Sequence, residues 1–65
     1  MSVGCNIKKM RNKKGISQNA LAEFIGVNRS LIAQYERGTK IPNLLTAKEM
    51  AKALECDIAD FLKEA

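Results

Sequence analysis

Apolar residues recur along this chain at helical spacing, without the alternation of β-branched residues that marks a strand. Ile7 and Met10 stand three apart in a stretch from about Asn6 to Lys14 that stops at Gly15, a residue suited to a helix C-terminus. Ser17 is placed to cap a second helix, whose Leu21, Phe24 and Ile25 form one stripe before Gly26 ends it. Asn28 caps a third, with Leu31 or Ile32 and Tyr35 facing inward and Gly38 closing it. Pro42 forbids continuation, and Asn43 opens a fourth helix with Leu44, Ala47, Met50, Ala51 and Leu54 on its buried side. Asp57 caps a fifth, with Asp60 in the capping-box position and Ile58, Phe61 and Leu62 turned inward. Five short helices with brief connections predict a compact all-α fold.

The segment QNALAEFIGVNRSLIAQYER, Gln18 to Arg37, has small residues where two helices would cross. Helices joined by a tight turn at about 90–120° approach closely, and a large side chain at Ala22 would push them apart. Gly26, four residues later, supplies the left-handed backbone of the turn. Leu21, Ile25, Val27, Ile32 and Tyr35 supply the apolar contacts around it.

Charge sharpens the picture. Up to Lys40 there are eight basic residues and two acidic ones, whereas Ile41 to Ala65 holds three basic and five acidic. Such a one-sided positive field attracts a polyanion, so nucleic acid or an acidic membrane surface leads the partner classes, against the plainer reading of a solvated basic face. The 65 residues suffice for one domain. No apolar run nears the ~20 residues of a membrane span, and polar, basic groups occupy the place of a signal peptide's apolar stretch, so a cytoplasmic protein is expected. Cys5 and Cys56, with no histidine in the chain, do not make a zinc site, and small buried or half-buried thiols are the expectation. Lacking a metal cluster, a phosphate loop or a nucleophile beside a base, the sequence is not that of an enzyme, and no cofactor is expected.

These residues resemble the helix-turn-helix of the phage repressor and Cro family, also called the XRE family. The likeness extends to Arg11, to Gly15, Ile16, Ser17 and Gln18, to Glu36, Arg37 and Gly38, and to Pro42 with the Met50, Ala51 and Leu54 run. It covers about Ile7 to Leu62 and implies one lambda-repressor-like DNA-binding domain over residues 1–65. In that family an arginine near the end of the first helix pairs with a glutamate late in the third. Arg11 and Glu36 are therefore expected to form a partly buried salt bridge, the alternative being that Arg11 contacts phosphate.

A recognition helix presents its first residues and outward face to base edges. Here that set is Asn28, Arg29, Ser30, Ala33 and Gln34. Arg29 can donate twice to guanine, Gln34 can pair with adenine, and Ala33 offers a methyl to thymine. Gln18, Thr39, Lys40 and Asn43 match phosphate-contacting positions of the family, and Arg37 joins them. Two departures from the family pattern stand out. Glu55 replaces a glycine, so the turn there is expected to differ, and Ala47 replaces a larger aliphatic residue, so Leu44 or Leu45 is expected to fill the space.

The expectation is a sequence-specific transcriptional regulator, a repressor that meets a pseudopalindromic operator as a homodimer. Its paired surface is expected on the C-terminal helix, at Ile58, Phe61 and Leu62 with Leu45 beside them, unless these side chains only close the core. A different class of reading is an antitoxin whose main contact is a partner protein.

Overall fold

A computed structural model of the chain describes residues 3–62, with the backbone alone of Leu62. Five helices follow in order: α1 Val3–Lys14, α2 Gln18–Ile25, α3 Arg29–Arg37, α4 Leu44–Ala53 and α5 Ala59–Leu62, with no strand among the described residues. Capping explains three of the starts. Ser17 Oγ accepts from the Ala20 N–H at 3.0 Å, Asn28 Oδ1 from Leu31 at 3.0 Å and Asn43 Oδ1 from Thr46 at 2.8 Å. Each such cap is worth about 0.5–2 kcal/mol. At the fifth helix the Asp57 N–H donates to Asp60 Oδ2 at 3.1 Å, so the shorter acid still reaches back.

Packing places α1 against α3 and α5, and α2 against α3 and α4. Ile7, Leu21, Ile32, Met50, Leu54 and Phe61 are fully enclosed between them. The inward residue of α3 is thus Ile32, with Leu31 half-buried.

The apolar stripes need correction in two places. Phe24 is 67% exposed. Successive residues turn by about 100° around a helix, so Leu21, Ile25 and Ala22 already span the inward arc, and with Ala22 buried at the crossing Phe24 rotates out. Leu44 is 70% exposed, because it is the first residue of α4 and no neighbouring helix covers it. Leu45 is exposed too. Neither therefore fills in for the small Ala47, which is itself buried.

Three further expectations change. Glu55 keeps the left-handed turn, with φ at 55°, despite its side chain. The Cys56 N–H donates to Ala51 O at 2.9 Å as the helix closes, and the Glu55 carboxylate pairs with Lys14 across the turn. That conformation costs a non-glycine residue about 1–2 kcal/mol. Phe61 is 0% exposed and belongs to the core, so it offers no surface to a second copy; Ile58 is half-buried, and the side chain of Leu62 lies outside the described residues. Cys5 is exposed on α1, whereas Cys56 is half-buried, its thiol pushed up by burial and by Asp60 and Asp57.

Helix α1 starts three residues earlier than its apolar spacing suggests, and Gly4 is the reason it can. A Cβ built on Gly4 would lie 2.0 Å from the Tyr35 carbonyl oxygen and 2.9 Å from that of Glu36. The first turn of α1 thus rests directly on the backbone of α3. Asn6 secures the other side, donating from Nδ2 to the Phe61 carbonyl at 2.8 Å. Gly4→Ala would stabilise a helix in isolation by about 0.5–1 kcal/mol. In this fold it is expected to destabilise by about 1–3 kcal/mol, because one backbone must move off another. Thermal melts measure the difference, and an unchanged or raised midpoint would show that this turn does not bear on α3.

Candidate nucleic-acid interface

The recognition element is built from the crossing upward. Gly26, at φ 78°, returns its N–H to the Ala22 carbonyl, and the Val27 N–H donates to the same oxygen at 2.9 Å. This hairpin of backbone bonds aims α3 across α2. Ile32 and Tyr35 then bury one side of α3. By helical rotation Arg29, Ser30, Ala33, Gln34 and Arg37 share the opposite side, within about 140° of arc. Arg29, Ser30 and Arg37 are exposed, and Ala33 and Gln34 are half-exposed.

Asn28, just ahead of them, is also exposed, but its carbonyl oxygen is committed to the cap. What it can offer a base is its Nδ2 donor. Asn43 is arranged in the same way at the start of α4.

The loop after α3 folds back on its helix. The N–H groups of Gly38, Thr39 and Lys40 and the Thr39 hydroxyl all donate to the Gln34 carbonyl. These three backbone N–H groups are therefore spoken for. Phosphate contact from the loop falls to the exposed Lys40 ammonium, and Thr39 would first have to exchange its bond to Gln34. Lys8, Lys9 and Lys13 are exposed on α1, and Lys14 is engaged with Glu55.

Arg11 and Glu36 meet beneath this surface. Arg11 Nε donates to Glu36 Oε2 at 2.7 Å and Nη2 to Oε1 at 3.2 Å, while Nη1 donates to the Ile16 carbonyl at 2.8 Å. The two side chains are 11% and 4% exposed, so the guanidinium is turned into the protein. Burial pushes the Glu36 carboxyl up, but hydrogen bonds from Arg11 and Gln18 and the charge of Arg11 outweigh it and hold the group below its ordinary value. Gln18 reaches this pair with Nε2, 3.0 Å from Glu36 Oε1, and receives Arg29 Nη1 on its own Oε1 at 3.2 Å. Spacing along the chain gives no sign of these last two bonds.

Among the described residues no group of three acidic, cysteine or histidine side chains is placed to hold a metal, and no helix is long and apolar enough to cross a membrane. Two helices crossing at a glycine turn, the second exposing a polar and basic face, define a helix-turn-helix DNA-binding domain. A helix-turn-helix family profile matches residues 7–61. The chain belongs to this family, the XRE family, which includes phage repressors and transcriptional regulators and is not a family of enzymes.

One relative is the uncharacterized HTH-type transcriptional regulator YgzD of Bacillus subtilis (strain 168), 37% identical over 54 residues that cover 83% of this chain and 82% of that protein. Among solved structures, the P22 c2 repressor in complex with synthetic operator 9T superimposes with a TM-score of 0.89 at 35% identity, covering 97% of this chain and 96% of that one. SinR, a master regulator for biofilm formation in complex with DNA, gives 0.87 at 29% identity, over 94% of this chain and 98% of its own.

Proposed function

We propose that this protein is a sequence-specific transcriptional regulator, acting as a repressor in the cytoplasm, that lays α3 in the major groove of its operator. The observation that carries this reading is the division of α3 into a buried apolar side and an outward side headed by Arg29 and Ser30. Arg29, Ser30, Ala33 and Gln34 read bases, with Asn28 contributing the NH₂ group of its side-chain amide. Lys40, Arg37, Gln18, Asn43 and, after exchanging its bond, Thr39 meet phosphates. The DNA complexes formed by its structural relatives support this assignment.

Two copies occupying half-sites about 10 bp apart would double the contacts of so small a domain. With Phe61 enclosed, Leu45 and Ile58 are the side chains of the expected set, among the described residues, that remain for such pairing.

Arg29→Ala is expected to weaken operator binding by about 1–3 kcal/mol and to relax preference at one base pair. Lys40→Ala should weaken all sequences alike and flatten the salt dependence by about one unit of slope. Competitive binding to operators selected from random DNA measures both, and the symmetry of the selected sites reports the pairing. A Lys40→Ala variant that lost selectivity, with Arg29→Ala keeping it, would reverse these roles.

A further inference from the structure

Four polar side chains form one line of hydrogen bonds from the interior to the exposed start of α3. Arg11 donates twice to Glu36, Gln18 donates to Glu36 Oε1, and Arg29 donates to Gln18 Oε1. The polarity of this line has one physical origin. An ionised carboxylate only accepts hydrogen bonds, so the end of Gln18 that faces Glu36 must be its NH₂ group. Its carbonyl oxygen is then forced to the far end, where only a donor satisfies it. Arg29 is the donor that stands there. With Arg11 on its other side, Glu36 stays charged, because the guanidinium and the amide together hold its carboxyl below the ordinary value against the cost of burial.

We propose that Glu36 is a positioning residue for base readout: held by Arg11, it sets the direction of the Gln18 amide, which in turn fixes the Arg29 guanidinium for a guanine. The inference rests on the reading of Arg29 as a base contact. With Nη1 on Gln18, the Nε and Nη2 edge of Arg29 is left for the two acceptors of guanine, O6 and N7. A guanidinium on a free side chain would have to be ordered at the moment of binding, and it could turn to a phosphate instead. Anchored at one nitrogen, it is ordered beforehand, which favours the base that takes two bonds in a fixed plane. The ion pair that joins α1 to α3 thus also acts on selectivity, through a residue of α2.

The test uses the full chain and a duplex selected from random DNA, together with duplexes altered one base pair at a time. The quantity read is the ratio of affinities for the original and altered duplexes. Arg29→Ala identifies the base pair that Arg29 reads, as the one position where the ratio collapses. Gln18→Met and Glu36→Gln should each lower the ratio at that same position by about tenfold and leave it unchanged elsewhere, since a good bidentate contact is worth ~1–3 kcal/mol. Glu36→Asp keeps a charge for Arg11 but draws the carboxylate back from Gln18 by one methylene, and should lower the same ratio in a chain better able to fold. Asn6→Ala removes a buried hydrogen bond between α1 and α5, away from this line, and should lower the melting temperature without moving the ratio. Folded Glu36→Asp or Glu36→Gln with the wild-type ratio overturns the positioning role. So does an equal shift of the ratio in Asn6→Ala, which would make selectivity a matter of stability alone. An Arg29→Ala variant with no position-specific loss overturns the base contact itself, a different failure.

Discussion

Arg11→Ala is expected to destabilise the domain by about 3–5 kcal/mol, the cost of leaving one partner of a buried ion pair behind. A chain of this length holds roughly 3–10 kcal/mol of stability in all, so a large share of the variant molecules should be unfolded near physiological temperature. The effect is large because the guanidinium serves three acceptors at once. Two are the Glu36 oxygens and the third is the Ile16 carbonyl in the α1–α2 connection. An exposed pair such as Lys14 with Glu55 is screened by water and contributes little. Thermal melts of the two variants, Arg11→Ala and Lys14→Ala, should therefore differ severalfold in their effect. Equal and small effects would mean that Arg11 is not a structural residue and would restore a phosphate contact as its role.

The same pair gives the stability a definite pH dependence. The Glu36 carboxyl titrates lower in the folded chain than in the unfolded one, since its bonds to Arg11 and Gln18 outweigh burial. A group lowered in this way stabilises the fold at pH values above the ordinary glutamate value of about 4.3, and the contribution is lost as the pH falls through the lower folded value. The melting-temperature gap between wild type and Arg11→Ala should therefore be constant near neutrality and narrow below about pH 4. A gap that stayed constant through that range would remove Glu36 as the partner that matters.

Phe61→Ala should cost a similar amount, about 3–5 kcal/mol, through lost burial and the cavity left behind. Its ring is wholly enclosed although it lies within two residues of the end of the described chain, and its carbonyl accepts the bond from Asn6. Helix α5 is only four residues long and cannot stand by propensity alone. Removing its one fully buried side chain among the described residues should release it from α1. Melts at protein concentrations differing by about a hundredfold separate a core residue from an interface residue, because only an interface makes the loss depend on concentration. A concentration-independent loss is expected here. A loss that vanished on dilution would return Phe61 to the pairing surface.

How far the sequence reaches can be judged residue by residue. Ser17, Asn28 and Asn43 mark helix starts because a cap is a bond across three residues, and the turn at Gly26 is legible for the same reason of short range. The pairing of Arg11 with Glu36 spans 25 residues, and it came from likeness to a family rather than from spacing. Phe24 and Leu44 show where periodicity fails. An apolar residue at helical spacing is buried only if another element covers it, and neither has that cover. Gly4 carries no sign in the sequence and Asn6 only that of a helix start, since their importance depends on α3 and α5 arriving against the first turns of α1.

The amino-acid sequence by itself determined the number, order and capping of the helices, the close crossing at Ala22, the turn at Gly26, and which residues of α3 turn outward. All of these follow from interactions within a turn or two of chain. Tertiary structure alone decided that α1 rests on the α3 backbone at Gly4, that Phe61 closes the core, and that Gln18 joins Glu36 to Arg29. Each depends on groups brought together from distant parts of the chain, where direction and distance are set by packing and not by spacing.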